Sequence, residues 1–300
     1  MKMEEKIHLI KNKAAVDATI LTKDRAIVKY ANFHDIPLEN LAAIGDGTTD
    51  LPMLTLEGIG LAGAPANSQA RVKETVGSLP NGWVSSEEVF DAFIEFYNIA
   101  RDSGLTNIIS DRDGVLKWKN DMRGARDFRQ ILDYMGNNRN PFVTVLTGSG
   151  VTQNLEFMDI YGFNDPNLRS NKAIRDNPYI LLAEGGLIHF DVIHGETINL
   201  CRKLNQDLLD KLKNDFEPEV ADKIKSRVLD DFGLEWSSDY NDQEGKIYRP
   251  PKQGMVTFNI PRQVNNNDYR NTEESEMLRN KIIDIMAETA EEKNIHYEIL

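Results

Sequence analysis

Short apolar runs that each stop at small or polar residues constrain this chain most. Leu41–Ile44 stops at Gly45-Asp46-Gly47, Asn107–Ser110 at Asp111, Phe142–Leu146 at Thr147-Gly148, and residues 179–183 at Glu184-Gly185-Gly186. Runs of this length, alternating with amphipathic stretches, are the pattern of an α/β protein with buried strands. In open parallel sheets, ligands sit beyond the carboxyl ends of the strands. That architecture brings Asp46, Asp111 and Thr147 to one rim.

The intervening stretches read as helices. In residues 87–101 the apolar side chains Val89, Phe90, Phe93, Phe96, Tyr97 and Ala100 share one face, which reads as core packing. Ser85 or Ser86 is placed to cap this helix, and Gly104 to end it. A shorter helix is expected over 24–33. The pattern changes after about residue 196. A charge-rich helix is expected over 204–232, broken near Pro218, then strands at 234–240 and 255–260 and a helix over 274–293. Residues 295–300 form a further strand, and the Asn-rich stretch 263–272 reads as a loop. The order is that of a separate small α+β domain.

Several function classes are disfavoured. The net charge of −13 repels nucleic acid and anionic membranes at long range, so neither is an expected partner. No apolar run reaches the roughly 18 residues of a membrane helix. Residues 1–13 carry charges throughout and lack the apolar stretch of a signal peptide, so a cytoplasmic location is expected. Cys201 is the single cysteine, which leaves no internal disulfide and no thiolate metal cluster. It reads as a small, partly buried side chain. A negative chain also repels a phosphorylated ligand unless a bound divalent metal and a lysine reverse the local field.

The residues with chemistry cluster at the ends of the apolar runs. Asp111 and Asp113 stand two apart in Asp111-Arg112-Asp113-Gly114, so both can point into one cleft. One carboxylate can attack phosphorus while the other manages protons. Alone, such a turn is as readily an ordinary surface turn. In Gly45-Asp46-Gly47-Thr48-Thr49-Asp50, two carboxylates four residues apart at a helix start can share a hard cation. The plainer reading is a helix capped by Asp46 or Thr48. Thr147, with backbone N–H groups beside it, can hold phosphate oxygens, or simply close a strand-to-loop turn. Lys23 stands at the start of a helix, where a cation is a poor match for the helix dipole; a phosphate or a carboxylate partner would account for it.

Together these motifs resemble the haloacid dehalogenase (HAD) superfamily of phosphatases, in its Cof-like and sugar-phosphatase branch. Asp111-Arg112-Asp113-Gly114 resembles the first motif, with Asp111 as nucleophile and Asp113 as general acid/base. Leu146-Thr147-Gly148 resembles the second, with Thr147 and Gly148 binding phosphate. Lys23 resembles the third, and residues 40–50 the fourth, whose Asp46 and Asp50 hold Mg²⁺. The stretch containing Ala64-Pro65-Ala66-Asn67 resembles the segment after the fourth motif, and this likeness assigns Asn67 to phosphate. Glu184-Gly185-Gly186-Leu187-Ile188 resembles the segment before the cap. Ser149 and Gly185 depart from the arginine and asparagine often found there.

The resemblance implies a Rossmann-like core with helices on both faces and an α+β cap. It also implies a circularly permuted motif order, since the third and fourth motifs precede the first and second. The core is then expected at 17–195 and the cap at 196–300 with 1–16, with 6–10 and 295–300 as successive cap strands. The old ends would be joined through 79–106. Mg²⁺ is the implied cofactor, held by Asp111, Asp46, Asp50 and the backbone carbonyl of Asp113. A small phosphorylated metabolite, in particular a sugar phosphate, is the implied partner. Arg249, Lys252 and Arg262 are candidate cap contacts, or solvated surface charge. The implied activity is hydrolysis of a phosphate monoester through an aspartyl-phosphate. The alternatives are a phosphomutase of the same superfamily and a catalytically silent protein that binds a phosphorylated ligand.

Overall fold

The computed structural model describes residues 6–116, 141–150, 180–191, 196–199, 206–239 and 244–300. Along the chain the described elements begin with β1 (Lys6–Lys11), β2 (Ala15–Thr19), α1 (Lys23–Phe33), β3 (Leu41–Ile44), α2 (Leu51–Leu54), β4 (Leu61–Ala64), α3 (Ala70–Gly77), β5 (Gly82–Val84) and α4 (Val89–Asp102). They continue with β6 (Asn107–Ser110), β7 (Phe142–Leu146), β8 (Ile180–Ala183), β9 (Ile188–Asp191) and β10 (Glu196–Asn199). The helix α5 runs Gln206–Asp210, widens into a π-turn at Lys211–Phe216 and resumes at Glu217–Arg227. After it come β11 (Glu235–Ser237), β12 (Lys246–Tyr248), β13 (Met255–Asn259), β14 (Gln263–Val264), β15 (Asn267–Asp268), α6 (Glu273–Glu292) and β16 (His296–Ile299).

The chain divides into two compact units, one of residues 22–198 and one of 1–21 with 199–300. The first is built on an eight-stranded sheet of order β10-β9-β8-β7-β6-β3-β4-β5. Every pairing from β8 to β5 is parallel, and β9 runs antiparallel to β8. This is the α/β architecture with a mostly parallel sheet that the apolar runs imply. The chain steps outward from β3 to β5, returns to β6 beside β3, then steps outward the other way through β7 and β8. The carboxyl ends of β3 and β6 therefore flank the place where strand order reverses, and connections leaving a sheet there open a crevice.

Register fixes what lies along that rim. Ile44 is level with Ser110, and Ser110 with Val145. The residues immediately after them, at 45–46, 111 and 146–147, therefore share one edge. All residues of β3 and β6 are buried, which explains why β3 and the Ile108-Ile109 centre of β6 read as apolar runs instead of alternating. On one face, α4 buries Phe90, Phe93, Phe96, Tyr97 and Ala100 against Ala42, Ile44, Ile108, Val143 and Val145. The aromatic stripe is core, as its spacing suggests. Gly104, at φ +75°, ends the helix, with Leu105 N–H reaching back to Ala100 O. Ser85 does not cap α4, nor is any other side-chain cap formed by its N-cap residue, Glu88. Ser85 Oγ instead donates to Glu95 and accepts from Glu87 N–H.

The second unit carries a six-stranded sheet of order β11-β12-β13-β2-β1-β16, with α5 and α6. Alternation is clear here: Ile7 and Leu9, Val16 and Ala18, and Val256 and Phe258 are all fully buried. They share one face by register, and α6 contributes Leu278, Ile282 and Met286 to the buried set. Because β2 pairs with both β1 and β13, residues 17–21 belong to this unit, not to the one that starts at 22. β1 and β16 are neighbours and run parallel.

Two local expectations change, and one short strand was not foreseen. The break expected near Pro218 is a π-turn, not an interruption. Proline lacks the N–H and its ring crowds the carbonyl four residues back, and a widened turn relieves both. The stretch 263–272 holds a β14–β15 hairpin, because Asn265 and Asn266 both take positive φ, the geometry of a two-residue type I′ turn. The short strand β12 was hidden by a sequence too brief for any period. Cys201 lies outside the described residues. No helix among the described residues is long and apolar enough to cross a membrane.

Candidate active site

The fourth-motif loop leaves β3 at Gly45 and folds over itself around Asp50. Asp50 is buried, and its Oδ2 accepts from the backbone N–H of Asp46 (3.1 Å) and of Gly47 (2.9 Å). Its other oxygen takes the Lys23 ammonium. A side chain at Gly45 would overlap the Asp50 carboxylate, so glycine is required for the loop to close this tightly. The plainer reading, a helix start capped by Asp46 or Thr48, is not what forms. Asp50 organises the turn, and Asp46 is left to face the rim.

Asp111 comes directly after β6 and keeps its backbone on the ladder, with its N–H donating to Ile44 O at 2.9 Å. Its carboxylate accepts from Lys23 Nζ at 2.8 Å. Lys23 is the first residue of α1, and its ammonium bridges Asp50 and Asp111. That explains a cation at the wrong end of a helix dipole: two carboxylates outweigh it. Gly114 closes the first-motif loop at φ +89°, and a Cβ there would overlap the Asp46 carboxylate. Acids from distant parts of the sequence thus meet in one crevice. Oxygens of Asp46, Asp50 and Asp111 lie within 4.8 Å of one another.

That crowding sets the electrostatics. Burial pushes the Asp46 carboxyl up to about 8, with Asp111 and Asp50 adding to the rise. Burial raises Asp111 to about 6, opposed by Lys23 and reinforced by Asp50. For Lys23, burial alone would lower the pKa, but Asp111 and Asp50 outweigh it and hold the ammonium above its ordinary value. One ammonium does not balance three converging carboxylates. An oxygen-only donor set with surplus negative charge fits a hard divalent cation such as Mg²⁺.

Asp113 is placed differently. Its carboxylate is held by Arg112, with Nη2 at 2.6 Å and Nε at 3.2 Å, and it is not among the three clustered acids. Arg112 Nη2 also donates to Ser149 Oγ at 2.9 Å, tying the first-motif loop to the second. Arg112 carries no sequence signal beyond its position between the two aspartates. Thr147 is buried at the end of β7, and its hydroxyl oxygen accepts from Ser149 N–H at 3.2 Å. The turn at 184–186 fixes that loop: Glu184 N–H donates to Ser149 O and Gly185 N–H to Thr147 O. Gly148 is exposed at the rim. The Asn67 carboxamide bonds to backbone, donating to Gly114 O and accepting from Val89 N–H, both at 2.8 Å. Arg249, Lys252 and Arg262 belong to the other unit. There Arg249 faces Glu217 at 3.5 Å and Lys252 donates to Thr257 Oγ1 at 2.6 Å.

Residues 16–77 match a family model described as haloacid dehalogenase-like hydrolase. Over this segment, about a fifth of its length, the chain is similar to that family. The matched segment contains Lys23, Asp46, Asp50 and Asn67, while Asp111, Asp113 and Thr147 lie beyond it. Two solved structures are similar to this chain. One is the N-terminally truncated, IMP-bound IMP-nucleotidase of Plasmodium falciparum, at 13% identity and a TM-score of 0.33, covering 65% of this chain and 49% of that one. The other is a haloacid dehalogenase-like hydrolase from Bacteroides thetaiotaomicron, at 11% identity and a TM-score of 0.23, covering 59% of this chain and 77% of that one. The chain thus spans about half the length of the first of these. No curated protein matches it.

Proposed function

We propose that this chain is a HAD-like hydrolase, a phosphatase that cleaves a phosphate monoester through an aspartyl-phosphate on Asp111. The observation that carries the reading is the meeting of Asp46, Asp50 and Asp111 around Lys23 at the sheet's switch point. Asp111 and Asp46 would hold Mg²⁺, with Asp50, already accepting from two backbone N–H groups and Lys23, as a supporting acid. When bound, the cation offsets the repulsion between a carboxylate nucleophile and a phosphate dianion.

The chain's own residues do the rest. Lys23 keeps the Asp111 carboxylate ionised and aimed past the end of β6. An Asp111 oxygen attacks phosphorus as the bond to the leaving oxygen breaks. Asp113, released from Arg112 and protonated from solvent as the substrate binds, gives that proton to the leaving oxygen. Lys23 and the Thr147 hydroxyl, with the N–H groups of its loop, meet the charge that spreads over the equatorial oxygens. Asp113 then takes a proton from water, whose oxygen attacks phosphorus, and the Asp111–phosphorus bond breaks to release inorganic phosphate.

The substrate class in this reading is a small phosphorylated metabolite, a sugar phosphate in particular. Its support is the resemblance to the sugar-phosphatase branch and an α+β unit positioned in sequence as a cap. The same resemblance supports a permuted motif order. The test is release of inorganic phosphate from p-nitrophenyl phosphate and from a panel of sugar phosphates, with Mg²⁺ and with chelator. Mg²⁺-dependent release is expected. Release that persists in chelator, or none from any member of the panel, would overturn the reading; phosphate transfer that needs a bisphosphate activator would make the protein a mutase.

A further inference from the structure

We infer that Asn67 is a positioning residue for the nucleophile loop, acting as a two-ended brace between that loop and the start of α4. The inference rests on the phosphatase reading for its consequence in catalysis and on geometry for the brace itself. One end of the carboxamide donates to Gly114 O and the other accepts from Val89 N–H, each at 2.8 Å. Gly114 closes the loop that begins with Asp111 and lies directly against the Asp46 carboxylate. Any drift of Gly114 therefore moves the nucleophile's loop relative to a fourth-motif acid.

The far end of the brace is anchored in an unusual place. Val89 opens α4 at φ +48°, a conformation that β-branched residues almost never adopt. Its N–H is one of the terminal donors with no partner within the helix, and no cap from Glu88 forms. Strain of this kind persists only where the surroundings over-determine it, and it clusters at functional sites. Here the over-determining contacts are the Asn67 bond and the burial of Val89 and Phe90 in the core. Ala66 N–H also donates to Glu87 O at 2.8 Å, so the Asn67 loop and the approach to α4 move as one piece. A helix packed into the core thereby fixes the first-motif loop through one side chain. An amide used in this way recognises no ligand with those two groups, which sets Asn67 apart from the phosphate contact that the family resemblance assigns it.

Asn67→Asp separates positioning from folding. Its carboxylate still accepts Val89 N–H at a helix N-terminus, where negative charge is favoured, but now turns an oxygen toward the Gly114 carbonyl. Asn67→Ala removes both bonds. Amide exchange and p-nitrophenyl phosphate turnover at saturating Mg²⁺ are measured on the full chain. For Asn67→Asp, kcat should fall on the order of tenfold to a hundredfold with KM changed less than about threefold. Amides at 111–116 should exchange several-fold faster while those of α6 keep the parent rate. Parent-like exchange at 111–116 would overturn the brace, and a uniform rise over all peptides would reduce it to general stability. Local loosening with unchanged kcat would overturn the positioning role. If the parent protein itself hydrolyses nothing, the phosphatase reading fails, and the exchange arm still decides whether Asn67 holds the loop.

Discussion

Replacing Gly114 with alanine tests the convergence on which the site depends. Two costs can be worked out. The backbone at φ +89° disfavours an L residue by roughly 1–2 kcal/mol. The new methyl also lands on the Asp46 carboxylate, and forcing a group into filled space costs roughly 1–3 kcal/mol. The expected loss is therefore roughly 2–5 kcal/mol, read by urea unfolding in chelator with the slope unchanged. Only the second cost depends on Asp46. In an Asp46→Ala background the same substitution should cost just the backbone share, so the double-mutant cycle should show a coupling of about 1 kcal/mol or more. A coupling below about 0.5 kcal/mol would mean that residues 46 and 114 do not touch, and the shared site would be refuted. Added Mg²⁺ should also raise the stability of Gly114→Ala less than that of the parent, because Asp46 has been displaced.

Asp111→Asn should lower kcat on the order of 10³-fold or more while the fold, monitored by circular dichroism, is kept; near-parental turnover would refute the nucleophile. Asp46 has its folded pKa raised from 3.8 to about 8, so metal-free protein loses stability as pH rises through that window, the unfolded carboxyl ionising first. In chelator at pH 8, Asp46→Asn should exceed the parent in stability by on the order of 2 kcal/mol and respond less to Mg²⁺; a destabilised variant would contradict the crowding argument. His189 is buried against Tyr30 and Phe33, and burial, with His34 nearby, lowers its pKa from 6.5 to about 4. The unfolded imidazole binds its proton first on acidification, so stability is full above pH 6.5 and falls by up to about 3 kcal/mol toward pH 4. His189→Phe should flatten that acid limb in a urea titration, and an unaltered limb would assign it to other groups.

Much of the fold and of the acid cluster was legible from sequence alone. β3, β6 and β7 are mostly apolar because both faces of a central parallel strand are covered, and that signal is local. The acids at 46, 50 and 111 and the lysine at 23 could be named because their chemistry and their place at strand ends are written in a few adjacent residues. Tertiary structure alone decided how they are used. Asp50 spends one oxygen on two backbone N–H groups, Asp113 turns to Arg112, and Arg112 reaches Ser149. The α4 donor expected to find Ser85 finds Asn67, 22 residues away in sequence. These partners depend on strand order and register, which bring separate loops to one edge, and no period or local propensity encodes which of several polar groups will arrive within 3 Å. Sequence determined which chemistry is present; the path of the backbone through the sheet determined which group each side chain answers to.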